Sequence, residues 1–567
     1  MEQYSLQMLA GGEKQSESEE ISGNYWDVQI LDINPDANAA HEGMNGVETS
    51  VLTSGKALEG FDTSIWQFEA GKYPVLKAFA DEEMVKEACA TKLIVPAGVT
   101  VKNLSADATV ENGTPVLSQG TKFTLAGNVV KGIPTTEEVV TDTLTITNGK
   151  YVKIIALSAM PANPLQGAGT AEDPYRITTP QEWNALASFM SKTANNLQGE
   201  YVAVMNDIDF TGVAEGITPL GNDGVTPFDG NFDGKGFAVK GYSYKTKEDG
   251  EGALFGTIGA EGVVSNLTSA GEISGGLGGP KGTTKLGHVG GFVGRLYGKL
   301  VNVTNTGKVK GIATYNAGVA GFVQQGAVLD GVKNYGEITS SAAYVAGVAA
   351  YVYEDAEFNK CVNYGNISSS VAAGYAAGIA ATALPSKFVE CVNEGQISSG
   401  SSAGIVANCS GKSGGLIYTF DRCQNNGEVT GNGILGGITA VQGATAGNNV
   451  CHYIQCVNNG DITATATQAV SSSAMAGIAA FYSPGSVFEY CINTGFVTNT
   501  KSVYTAGIAA NNKGSATADY PVVFKGCVNT GNIASSAQQI AGIVAYITNY
   551  TSVDSCLNYG TIEQGIW

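Results

Sequence analysis

The sequence predicts an all-β chain whose larger, C-terminal part is a parallel β-helix. Three observations carry this. An Asn-x-Gly motif recurs at Asn305, Asn334, Asn363, Asn393, Asn425, Asn458, Asn493, Asn529 and Asn558, at a period of roughly 29 to 36 residues that is typical of solenoids. A second column, Gly followed by an apolar residue, keeps step with it at Gly291, Gly321, Gly347, Gly378, Gly404, Gly437, Gly477, Gly507 and Gly542. The residues between, as in Phe388-Val389-Glu390-Cys391-Val392-Asn393, alternate and are rich in β-branched types. Helix-pair repeats would need a 3.6-residue period, and a glycine in nearly every coil would weaken them. Strands recurring without hairpin signals wind in one direction, each pairing with its equivalent one coil away.

Stacked coils place equivalent residues about 4.8 Å apart. An inward Asn then hydrogen-bonds its copies above and below, and the ladder satisfies buried amides. The Gly two residues later is assigned the positive-φ turn. Cys361, Cys391, Cys423, Cys456, Cys491, Cys527 and Cys556 form one column, where earlier coils carry Val303 and Val332. They are read as buried free thiols acting as small hydrophobes. Parallel Cβ vectors do not aim the sulfurs at one another, and the spacing is unlike the CxxC of zinc sites. Cys89, Cys409 and Cys451 fall off the column and stay unassigned.

Ahead of the coils, Thr179-Pro180-Gln181-Glu182 is a capping box with proline at the first helical position. Trp183, Leu186, Ala187 and Met190 follow on one face, predicting an amphipathic helix near 180–191 that closes the solenoid end. Upstream, "TKLIVPAGVTVKNL" and "TDTLTITNGKYVKIIALSA" alternate between Gly and Pro breaks. A small β-sandwich-like spacer over 80–162 is the simplest reading.

The helix segment with "VMNDIDFTG", "FDGNFDGKGF", "GALFGTIG" and "GGFVGRL" resembles the GLUG-repeat solenoids of bacterial surface and secreted proteins. The resemblance implies a right-handed β-helix of roughly ten coils over 163–567, displayed outside the cell. "YWDVQ" and "FDTSIWQFEAGKYPVLKAF" resemble the way such chains finish a solenoid, so residues 1–79 are expected to be a solenoid-closing segment. Either the chain is one window of a longer tandem protein, or this segment covers the open C-terminal face, in cis or from a neighbouring copy.

A length of 567 residues exceeds what one compact core organises. The net charge of -20, with Lys+Arg only 31, excludes nucleic acid and anionic membrane as partners, since both need a basic face. No run of eighteen apolar residues spans a bilayer, and the start has no basic region leading into an apolar one. The expected location is extracellular or at the cell surface, with the address outside this window.

Candidate chemistry is sparse. His41-Glu42 fails the HExxH pattern because Asn45 stands where the second His is needed, and there are only 3 histidines. "SGKSGG" at 410–415 has Val406 where a phosphate loop needs Gly. Asp229, Asn231 and Asp233 match half a calcium loop, but the twelfth position is Lys240. The preferred reading has Phe228, Phe232 and Phe237 packing inward, with no metal. Glu428 and Asp461 share a column and would stand roughly 5 Å apart, a glycosidase-like separation. That column carries no basic residue, so they are weak catalytic candidates. Tyr335 lies over Tyr364, where a sugar ring or partner protein could rest. The resulting expectation is a non-catalytic structural or adhesion protein without a cofactor. It would meet a protein or glycan ligand and self-associate head to tail; the alternative is a carbohydrate-active enzyme.

Overall fold

The computed structural model of the chain describes residues 24–27, 29, 44–59, 61–80, 82–97, 99–120, 122–134, 136, 138–221, 226–246, 251–275, 287–311, 314–371, 374–411, 417–442, 449–465, 473–499 and 503–564. His41, Glu42, Lys412 and Trp567 lie outside them. The chain divides into two compact units, 1–163 and 164–567.

In the first unit, two antiparallel sheets form the β-sandwich-like body. One has three strands, Thr114–Leu117, Val140–Asn148 and Tyr151–Ala159; the other has four, drawn from 92–131. Alternation makes the core: Leu93, Val110 and Val130 from one sheet meet Leu144, Ile146 and Leu157 from the other. Asn24–Asp27 pairs in parallel with Met44–Val47. The buried Asp27 carboxylate accepts hydrogen bonds from the Thr49 and Tyr73 hydroxyls, both at 2.7 Å. Gln29 donates to the Val95 and Pro96 carbonyls at 3.0 Å each, which ties residues 24–53 to the four-stranded sheet.

The second unit is the predicted parallel β-helix. Its four sheets contain 13, 21, 10 and 10 strands. Each strand pairs with its equivalent one coil on: Val362–Asn363 with Val392–Asn393, and that pair with Gln424–Asn425. The asparagine column is a directional ladder. Asn363 Nδ2 donates to Asn393 Oδ1 at 2.8 Å, Asn393 to Asn425 at 2.8 Å and Asn425 to Asn458 at 2.7 Å. The same nitrogen donates to the carbonyl two residues ahead, as from Asn425 to Gly427 at 2.9 Å. Asn305 through Asn529 are buried, so each amide is satisfied by its own kind. Ser269 stands in register with Asn305 at the start of the column and bonds the Tyr242 hydroxyl.

Two sequence expectations need correcting. The motif glycines do not occupy the positive-φ region; none of Gly307, Gly336, Gly365, Gly395 or Gly427 is among the residues with positive φ. They are glycines because the coils approach too closely. A Cβ on Gly395 would run into the Gly365 carbonyl oxygen, and one on Gly427 into that of Gly395. The left-handed corner sits instead one residue before the cysteine column. Lys360, Glu390, Arg422, Gln455 and Tyr490 have φ of 51°, 53°, 50°, 52° and 55°, and Gly331 and Gly526 share the position at 65° and 64°. An L-residue pays roughly 1–2 kcal/mol there. Replacing Gln455 by Gly is expected to raise stability by about 0.5–1 kcal/mol after the added chain entropy, read as a higher urea midpoint.

The second glycine column also shifts. Gly291 stacks on Gly318, with Phe292 N–H donating to Val319 at 3.1 Å, so Gly318 is the column member and Gly321 is not. Cβ atoms on Gly347, Gly378 or Gly404 would strike Asn363, Asn393 or Asn425 Oδ1. Both glycine columns therefore serve one feature: they leave room for the amide ladder.

A buried aromatic ladder runs beside it. Phe358, Phe388, Phe420, Tyr453, Phe488 and Phe524 stack with centroids 4.9, 5.3, 5.1, 4.5 and 4.6 Å apart. At the first coil the predicted cap is a helix, Pro180–Thr193, with its capping box formed and Trp183, Leu186 and Met190 buried. Trp183 Nε1 donates to the Thr218 carbonyl at 3.0 Å, and the indole meets Phe232 and Phe255 edge-on.

Candidate functional site

Tyr335 and Tyr364 lie on the outer face of the 21-stranded sheet, each following its ladder asparagine, so parallel pairing stacks them. Their rings are 4.4 Å apart and 6° from parallel, and the residues are 49% and 41% exposed. They form a true surface pair. Burial and the neighbouring Tyr335 ring push the Tyr364 phenol up. Beyond them the same outward column becomes a polar chain: Asn426 Nδ2 donates to Glu394 at 2.8 Å, Asn459 to Asn426 at 2.8 Å, and the Thr494 hydroxyl to Asn459 at 2.8 Å.

Glu428 and Asp461 are brought into one column, since Val429 pairs with Ile462 and the Val429 N–H donates to the Asp461 carbonyl at 2.8 Å. Asp461 Oδ1 accepts the Phe496 N–H at 2.8 Å. Asn366 and Asn532 do the same for Gln396 and Thr561, at 3.0 and 2.9 Å. Short acceptor side chains at this position thus take up the next coil's first N–H, a structural task that accounts for Asp461.

Asp229, Asn231 and Asp233 are not directed at a common point. The Asp229 carboxylate accepts from Asn196 Nδ2 at 2.9 Å and the Glu261 N–H at 3.2 Å, and burial pushes it above the usual carboxylate range. Asp233 accepts from Asn266 Nδ2 at 3.0 Å and the Lys235 N–H at 2.8 Å; against its burial, these bonds and the Lys235 charge hold it low. Asn231 lies in the strand Asn231–Asp233 between Tyr201 and Val263. Phe228 and Phe232 are buried and Phe237 is partly so.

All ten cysteines are free. Within the column the thiols from Cys361 to Cys527 donate to a carbonyl of the preceding coil, as from Cys423 to Phe388 at 3.2 Å and Cys456 to Phe420 at 3.2 Å, whereas Cys556, expected buried, is half-buried and donates to the Asp554 carbonyl of its own coil at 3.3 Å. Burial pushes the Cys361, Cys423 and Cys491 thiols up, so they stay protonated donors. Such bonds are weak, and Val303 and Val332 hold the slot without them. Cys423→Val is expected to cost less than about 1.5 kcal/mol, measured by urea denaturation. Off the column, Cys409 and Cys451 are buried inside the solenoid and Cys89 is half-buried. Cys89 borders a cleft of about 380 Å³ in the first unit with Lys72, Tyr73, Lys86, Glu87 and Asn148, and burial pushes its thiol up.

A second aromatic array, buried at His288 and Tyr315 and half-buried at Tyr344 and Tyr375, lies outside the sequence expectations. His288, Tyr315, Tyr344 and Tyr375 stack along one ten-stranded sheet, with centroids 4.7, 4.6 and 5.4 Å apart. Phe322 and Tyr351 stack on the adjacent sheet at 5.2 Å, and Tyr351 meets Tyr315 edge-on at 5.2 Å. Its signal was Tyr-x-Ala-Gly at Tyr315, Tyr344 and Tyr375.

No family model matches the chain. A candidate Gly-rich membrane protein of Evansella cellulosilytica is 29% identical over 142 residues, 24% of this chain, and the match spans 15% of that protein's length. Among the described residues no helix is long and apolar enough to cross a membrane. A crystal structure of a candidate immunoglobulin A1 protease from Bacteroides ovatus is 18% identical with a TM-score of 0.33, covering 55% of this chain and 86% of that one. A second structure, named IgA1 protease, is 11% identical with a TM-score of 0.24, covering 80% of this chain and 26% of that one. Both structures carry protease names, against the expectation of a non-catalytic chain.

Proposed function

We propose that the chain is a GLUG-type β-helix scaffold of a bacterial surface or secreted protein, holding a long acidic face outward to engage a protein or glycan partner. One observation carries this reading. The amide ladder runs unbroken from Asn305 to Asn558, which makes the solenoid a stiff rod, while the whole chain's net charge of -20 keeps the protein solvated. Adhesion, and self-association between copies, belong to the same reading.

Labelling intact and permeabilised source cells with an antibody against 164–567 tests the location; labelling only after permeabilisation would sink it. Adhesion is tested by binding of the purified chain to immobilised matrix proteins and glycans, with intact IgA1 among them. Gel analysis of the bound IgA1 separates retention from cleavage. Light scattering at rising concentration checks self-association, which a constant monomer mass would remove.

A further inference from the structure

The interior tyrosines spend their hydroxyls. Tyr418 donates to the Ala383 carbonyl at 2.9 Å, Tyr453 bonds Thr439 at 2.6 Å and Tyr482 donates to the Tyr546 carbonyl at 2.7 Å. In the second aromatic array the contrast is complete. Among the described residues, none of the hydroxyls of Tyr315, Tyr344, Tyr351, Tyr353 or Tyr375 is hydrogen-bonded. Tyr315 is buried, so four phenols, those of Tyr344, Tyr351, Tyr375 and Tyr353, which packs against Phe322 and Tyr351, present donors that the protein leaves to whatever lies against them. Tyr344, Tyr351 and Tyr375 are half-buried and Tyr353 is 38% exposed.

We propose that this array is a binding site for an uncharged glycan chain lying along the solenoid axis. The inference rests on the surface-scaffold reading and names its ligand class and site. A pyranose chain carries a rim of hydroxyls; the tyrosines, stacked face to face at 18° and 17°, present ring edges and polar phenol tips to it. The phenols recur every 4.6 and 5.4 Å, close to the inter-strand spacing of about 4.8 Å. An extended pyranose chain advances by a similar distance per sugar, so successive units meet successive hydroxyls. Charge selects the neutral class. Glu354 lies close enough to Tyr351 to help raise its phenol pKa and offsets Arg295, which stands in register with Phe322 one coil earlier, so these charges leave the array no cationic excess with which to hold an anionic polymer. Burial pushes Tyr315 up to about 12 and raises Tyr344 and Tyr351, so the hydroxyls remain donors at physiological pH. The array ends sharply, because Ser401 replaces tyrosine in the coil after Tyr375.

The full chain is titrated calorimetrically with cellohexaose, chitohexaose and mannohexaose, with hexagalacturonate as the anionic arm and a collagen-derived peptide as the protein arm. Binding of at least one neutral hexamer is expected. The double variant Tyr344→Ala/Tyr375→Ala should weaken it at least tenfold, and Tyr344→Phe/Tyr375→Phe, which keeps the packing, at least threefold. Tyr335→Ala/Tyr364→Ala should leave it within twofold. No binding of any neutral hexamer, preference for hexagalacturonate or the peptide, or full binding by the phenylalanine variant overturns the proposal. In those cases surface labelling and retention on other immobilised partners still stand, so the scaffold reading fails only on its own test.

Discussion

Asn425→Ala is expected to destabilise the second unit by about 3–5 kcal/mol. The substitution removes three hydrogen bonds: Asn393 Nδ2 to Asn425 Oδ1 at 2.8 Å, and Asn425 Nδ2 to Asn458 Oδ1 at 2.7 Å and to the Gly427 carbonyl at 2.9 Å. Each is worth about 1 kcal/mol net, and every buried group left without its partner adds about 1–3 kcal/mol. Water cannot repair the loss readily, because Asn393, Asn425 and Asn458 are wholly buried. Asn425→Asp should be at least as damaging. It offers only acceptors where two donations were made, and a carboxylate there is desolvated. Chemical denaturation followed by far-UV circular dichroism measures both. A loss below about 1 kcal/mol for Asn425→Ala would mean that the amides are bystanders. Solenoids unfold by neighbouring-coil coupling, so the damage should centre on the coils flanking Asn425. Hydrogen exchange would show this as lost protection in 390–460.

Gly427→Ala is the companion case. The added Cβ meets the Gly395 carbonyl oxygen and carbon and lies 2.9 Å from Asn393 Nδ2. Backbone on that side cannot yield without separating two coils, so a cost above about 3 kcal/mol is expected, beyond ordinary overpacking. Gly326→Ala provides the contrast. Its φ is +73° and nothing lies within 4 Å of the added atom, so only backbone strain of about 1–2 kcal/mol applies. If the two variants have equal melting points, close approach is not what selects glycine in the motif.

The parallel stack, the inward asparagine and cysteine columns and the capping helix were legible because each repeats, or follows a local rule that tertiary structure leaves intact. Thr179 and Glu182 make a capping box wherever they stand in that order. The role of the motif glycine was misread because a flexible residue and a residue forced small by a neighbour look identical in one sequence. Only the position of the Gly365 carbonyl against Gly395 distinguishes them. The left-handed corner was hidden because Lys360, Glu390, Arg422 and Tyr490 share no chemistry. Gly321 was placed in the wrong column because "GVAGFV" offers two glycines three residues apart, and only the Gly291–Gly318 approach selects the first. Glu428 and Asp461 were correctly placed in one column, yet the service of Asp461 to the Phe496 N–H depends on an oxygen position that spacing does not supply. The tyrosines of the second array carry a periodic signal of their own, Tyr-x-Ala-Gly, which merges with the glycine column at Gly318, Gly347 and Gly378.

Neighbouring coils meet in parallel through matching side chains. A crystal structure of residues 164–567 tests this most directly. It should place Asn393 Nδ2 about 2.8 Å from Asn425 Oδ1, with Val392–Asn393 and Gln424–Asn425 running the same way. Antiparallel neighbours, or ladder amides that point to solvent, would contradict it.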